Sequence, residues 1–149
     1  MASDKQAAIN AAVKDAMRAR DKPRLQVLRL ITSEFKRIEV DERIELDDAR
    51  VLAVLDKMVK QRRDSAAQYR SAERLDLAEQ EDFEIGVIGD FLPAQLSEAE
   101  LAELVDITCT ETGAESMGDM GKLMAALKPK VQGRADMGAV SRLVKARLA

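Results

Sequence analysis

The chain has 149 residues, of which 46% are apolar but only 3% aromatic; 34% are charged and the formal net charge is −3. A chain of this length buries roughly 70% of the surface it exposes when unfolded, so it needs neither metal nor disulfide to hold a core. It contains no histidine, which rules out serine, cysteine and zinc chemistries that need an imidazole unless another chain supplies it, and one cysteine, which excludes any internal disulfide.

With no Trp and one Tyr, the core falls to Ala, Leu, Val and Met, which suits helix-on-helix packing better than a sheet. Only seven Gly and three Pro interrupt the chain. Ser3 opens the first predicted helix, with Gln6 completing a capping box, and Ile9, Val13, Ala16 and Met17 form its apolar stripe. Asp21 caps a second helix with Pro23 in its first turn, where a missing N–H costs nothing; its stripe is Val27, Leu28, Ile31, Phe35 and Ile38. Residues 39–45 carry charge without a clear period and read as a loop or frayed end.

Asp47 or Asp48 caps a third helix running to about Ser71, with Val51, Leu55, Met58, Arg62 and Tyr69 along its stripe. A fourth is expected from about Asp76 to Phe91 on Leu77, Phe83, Val87, Ile88 and Phe91. Pro93 disfavours helical geometry at Leu92, and Ser97 with Glu100 makes a capping box for a fifth helix, which Gly113 closes. The sixth begins near Met117–Asp119 and reaches Gly133, with Pro129 kinking it or ending it early. Asp136 caps the seventh, built on Met137, Val140, Val144 and Leu148. The predicted fold is therefore all-α and multihelical, with a four-helix subdomain over 1–92 and a three-helix subdomain over 93–149.

No apolar leader precedes the first helix, and the longest uncharged run, Gln6 to Val13, falls far short of the ~20 residues that span a bilayer. With a single thiol this points to a cytoplasmic protein outside the membrane. Cys109 lies in the fifth helix with Asp106 and Glu111 nearby, neighbours that disfavour a thiolate, and reads as a packed or idle thiol. The carboxylates at 45–48 and 79–84 lack calcium-loop spacing and sit near helix starts, where they face the dipole. No phosphate-binding glycine loop is present. No cofactor or metal is expected, and no catalytic residue can be named.

Two features resist a purely structural reading. Arg62 stands on an apolar stripe, where it must either snorkel out or pair with a carboxylate. Gly118 and Gly121 stand in the first turn of the sixth helix, where they would permit close approach of a neighbouring helix or of an anion beside Lys122. Charge is also uneven: residues 1–115 carry 17 Lys+Arg against 25 Asp+Glu, whereas 116–149 carry seven against Asp119 and Asp136. The basic end is either a solvated surface or a polyanion site.

Five segments occur together: Leu28-Arg29-Leu30-Ile31; Lys60-Gln61-Arg62-Arg63-Asp64-Ser65 followed by Tyr69; Phe91-Leu92-Pro93-Ala94-Gln95-Leu96-Ser97; Gly118-Asp119-Met120-Gly121-Lys122-Leu123-Met124; and Gly133-Arg134-Ala135-Asp136. In this order the chain resembles the GatB/YqeY family of small stand-alone proteins over its full length. The resemblance implies the four-plus-three helical fold. It also implies kinship with the tail of the B subunit of glutamine-dependent tRNA amidotransferase, where the tail contacts tRNA and chemistry happens elsewhere. Carried over, the candidate RNA-binding residues are Gly118, Gly121, Lys122, Lys128, Lys130, Arg134, Arg142 and Lys145. Arg29, Lys60, Arg62, Arg63 and Tyr69 are candidates for a structural or partner-binding role.

The large catalytic portion of that subunit has no counterpart here. Three readings stay open: a non-catalytic tRNA-associated module, a component of a carbon–nitrogen ligase that acts with a catalytic partner, and a protein–protein adaptor without RNA. Expected partners are tRNA, or amidotransferase or aminoacyl-tRNA synthetase proteins.

Overall fold

A computed structural model describes residues 3–149. Among them are seven α-helices and no strand: α1 (Asp4–Ala19), α2 (Lys22–Glu42), α3 (Asp48–Ser71), α4 (Leu75–Gly89), α5 (Glu98–Thr112), α6 (Met120–Val131) and α7 (Met137–Leu148), with a 3₁₀ turn at Met117–Asp119. The chain divides into two compact units, Met1–Leu92 and Pro93–Ala149. No helix among the described residues is long and apolar enough to cross a membrane.

In the first unit, Ile9 of α1, Leu28, Ile31 and Phe35 of α2, Leu55 of α3 and Ile88 of α4 are sealed from solvent around Leu46. Each such side chain contributes about 1.5–3 kcal/mol by leaving water. Ser3 caps α1 by accepting from the Gln6 N–H at 3.1 Å. The reciprocal half of the expected capping box is absent, because the Gln6 amide instead donates to Glu39 of α2 at 3.0 Å. Ser3 also donates to Asp48 at the start of α3, and that bond, with the Lys5 N–H, holds the Asp48 carboxyl below the usual range. One residue thus starts α1 and ties it to α3.

Two expected boundaries move. α2 does not fray at residue 39 but runs to Glu42, where Arg43 closes it in the left-handed region (φ 55°). Ion pairs support this charged end: Arg37 with Glu34 and Asp41 one turn either side, and Arg50 with Glu42. α4 stops at Gly89, because Asp90, Phe91 and Leu92 bond three residues back in tight turns before Pro93. Phe83, expected on its stripe, is 41% exposed. At 100° per residue it lies about 140° around the helix from Ile88, and the inner face falls to Ala78, Glu84 and Val87–Ile88 instead.

In the second unit, α5, α6 and α7 close over Leu101, Val105, Leu123, Leu127, Val131, Val140, Val144 and Leu148. Ser97 and Glu100 form the expected capping box, and the Ser97 hydroxyl holds the Glu100 carboxyl below its ordinary range. α6 continues through Pro129 to Val131, two residues short of the expected Gly133, where the chain turns (φ 73°). In the last turn the lost N–H would have served only one carbonyl, that of Ala125, and the Gln132 N–H still returns to Lys128.

Candidate functional site

The segment Pro93–Ser97 is fastened to the α6–α7 turn by three bonds. The Leu96 N–H donates to the Arg134 carbonyl (2.8 Å), the Gln95 amide to the Gly133 carbonyl (2.7 Å), and Arg134 Nε to the Ala94 carbonyl (3.3 Å). Two of the five sequence segments therefore meet in space, and Arg134 is a fastener of the fold. Lys130 is also occupied. Its ammonium donates to Glu111 (2.8 Å) and to the hydroxyl of fully buried Thr108 (3.1 Å), joining α6 to α5. Arg147, a further cation of this end, pairs with Asp106 at 2.9 Å.

What remains is a smaller basic set. Lys122, Lys128, Arg142 and Lys145 are exposed, and among the described residues none of them is within ion-pair distance of a carboxylate, although the Lys122 charge acts on Asp119. Arg142 and Lys145 stand three residues apart on the outward side of α7, opposite Val140 and Val144. Lys122 and Lys128 flank the buried face of α6 on opposite sides, about 120° apart around the axis, so one helix face does not collect them all.

The start of α6 is open. A Cβ at Gly121 would meet nothing within 4 Å, and at Gly118 only the Ser116 hydroxyl at 3.7 Å. Of the two approaches the sequence left open at Gly121, that of a neighbouring helix is not made, because nothing lies within 4 Å of a Cβ built there. Asp119 occupies the turn below, accepting from the Glu115 and Ser116 N–H groups (2.9 and 3.3 Å), which lower its pKa.

In the first unit the candidate residues scatter. Arg29 is exposed on α2, Lys60 and Arg63 on α3, and Tyr69 is half-buried near the α3 terminus. Arg62 does bridge helices. Its Nη1 donates to the Met58 carbonyl (3.2 Å), while Nε faces Glu84 of α4 at 3.8 Å, too far for a hydrogen bond, and is left buried without an acceptor. Burial raises the Glu84 carboxyl above its ordinary range, and the Arg62 charge only partly offsets this. The sequence grouped Glu84 with the other acids at the start of its helix; the signal that would have singled it out is its place one turn before Ile88, on the same face.

Cys109 is buried and donates to the Ala114 carbonyl at 3.1 Å, a packed thiol at the end of α5. No cluster of three or more metal-ligating side chains occurs among the described residues.

Comparison with known proteins gives the wider setting. An uncharacterized protein of Schizosaccharomyces pombe is 37% identical over 92 residues, covering 62% of this chain and 75% of its own length. A Pyrenophora tritici-repentis protein named altered inheritance of mitochondria protein 41, mitochondrial, is 30% identical over 126 residues, covering 80% of this chain and 69% of its own. The family described as Yqey-like protein matches residues 6–148, and the chain belongs to that family.

Proposed function

We propose that this protein is a non-catalytic module that associates with tRNA through the exposed basic positions of α6 and α7, in the cytoplasm, as an accessory to amidotransferase-like or aminoacyl-tRNA synthetase proteins. The observation that carries this reading is that Lys122, Lys128, Arg142 and Lys145 are exposed and form no ion pair among the described residues, while the other cations of the same end are consumed by the fold. Cations left without carboxylates are the ones that displace counterions from a phosphate backbone. The unit has no aromatic residue to stack bases, so recognition is of phosphate and shape.

The test is a titration of labelled tRNA across a salt series. Replacing Lys122, Lys128, Arg142 and Lys145 together by Ala should flatten the log affinity–log salt slope by about 3, at roughly 0.7–0.9 per lost phosphate contact. Lys130→Ala and Arg134→Ala should change that slope by less than about 0.5, because those cations are already engaged. Equal binding by the quadruple variant and wild type at every salt defeats the reading.

A further inference from the structure

Whereas the exposed charges of α4 are all acidic and α1 and α3 carry both signs, the outward side of α2 carries a row of cations. Lys22, Arg29 and Lys36 recur every seven residues along it, and Arg43 follows at the same interval as the cap. Gln26, Ser33 and Val40 fall between them, so the exposed positions step by four and three alternately. That 3.5-residue average is the period of a seam along which a second helix packs at a shallow angle. All seven positions are exposed, and no ion pair found among the described residues involves any of the four cations.

The carboxylates of α2 are drawn off this seam. Glu34 and Asp41 pair with Arg37, Glu42 pairs with Arg50 of α3, and Glu39 accepts from Gln6 of α1. A face that only had to remain in water gains from mixing both signs, as α1 and α3 do. Here one sign stands alone over a helix of about 31 Å, with cations about 10.5 Å apart. The aliphatic side chain on the seam, Val40, is 65% exposed, and Leu30 at its edge is 46% exposed. Aliphatic groups beside a straight row of charges suit a protein helix better than a curved phosphate backbone, which offers them nothing to pack on.

We infer that the outward seam of α2 is a docking surface for an acidic helix of a partner protein whose carboxylates recur every seventh residue. A helix with that repeat meets Lys22, Arg29, Lys36 and Arg43 in register over the whole length of α2. Exposed ion pairs are individually weak and screened by salt, so docking is reversible and register-dependent. This surface is separate from the α6–α7 cations, and its success or failure leaves the tRNA reading untouched.

The test uses the isotope-labelled full-length protein and a helical peptide of four heptads with Glu at every seventh position. An isomer of identical composition with its Glu residues redistributed is the control. Amide shifts should be confined to residues 22–43, and the isomer should bind about tenfold more weakly. Arg29→Glu/Lys36→Glu, both exposed and verified folded by circular dichroism, should lose about tenfold in affinity. A peptide with Lys at the two facing positions should restore it. Equal binding of peptide and isomer shows generic charge attraction and overturns the inference. So do shifts outside α2, or perturbation of the α2 amides by tRNA and not by the peptide.

Discussion

The two units treat a cation near the core in opposite ways. In the first, Arg62 reaches from α3 toward Glu84 of α4, makes one good bond to a backbone carbonyl, and leaves its buried Nε without an acceptor. In the second, Lys130 reaches from α6 to α5 and is satisfied twice, by a carboxylate and by the hydroxyl of buried Thr108. A fork-shaped guanidinium needs several acceptors at fixed angles, whereas an ammonium on a flexible stem finds its partners more easily. The difference teaches that a cation on an apolar face is cheap or costly according to its acceptors, not its spacing.

The largest effect should come from the cores on which both bridges rest. Leu127→Ala in the second unit and Leu55→Ala in the first, each at a fully buried position, should each cost about 2–5 kcal/mol in denaturant unfolding. The consequence should be heavier for the second unit, whose three short helices bury less surface to begin with. Hydrogen exchange should then show α6 amides unprotected in Leu127→Ala while α3 amides of Leu55→Ala stay protected; the reverse order would break the comparison.

The bridges themselves come next. Arg62→Met should cost about 1–3 kcal/mol, because Glu84 is left half-buried without its countercharge. Adding Glu84→Leu should recover most of that loss, since the pair already contains an unsatisfied donor. Lys130→Met should cost about 1 kcal/mol, and removing Glu111 as well should recover little, because Thr108 still lacks its donor. A double-mutant cycle on each pair measures this contrast.

The pH dependence has opposite signs at different carboxylates. Glu84 has a raised folded pKa, so the folded state holds its proton more tightly, and its contribution to stability grows as pH falls from that raised value toward the ordinary ~4.3. Asp119 and Glu100 have lowered folded pKa values. Their contributions are complete above the ordinary values, about 3.9 and 4.3, and are lost as pH falls through the folded ones. Glu84→Gln should therefore steepen the acid loss of stability, and Asp119→Asn should flatten it, in unfolding curves taken between neutral pH and pH 3.

Much of the fold was legible because helix signals are local. Asp21, Asp47, Ser97 and Asp136 each accept the N–H that their position demanded, and the stripe of α2 is buried residue for residue as its spacing required. The misreadings arose where a partner distant in sequence decides. Gln6 abandons its own cap for Glu39, and the charged tail of α2 stays helical through ion pairs that include Arg50 of α3. The basic end was legible as composition only. That Lys130 and Arg134 serve the fold depends on Thr108, Glu111 and Ala94, which lie 19 to 40 residues away in sequence.

The smallest expected effect lies at Gly121, and it separates two uses of the open start of α6. A methyl there meets no neighbouring atom within 4 Å, so Gly121→Ala should stabilise the second unit by roughly 0.5–1 kcal/mol through the unfolded chain's lost freedom. Thermal unfolding should show a rise of a few degrees, about what that free energy gives for a small domain. The effect on tRNA is the sharper readout. Where a phosphate approaches the helix start, the methyl displaces it and weakens binding several-fold. The salt slope stays unchanged, because no cation has been removed. Where only the distant cations touch RNA, the variant is more stable and binds as wild type does, and the interface contracts to Lys128, Arg142 and Lys145. Lys122→Ala distinguishes the cases independently: it lowers the slope only if the start of α6 lies against the phosphates.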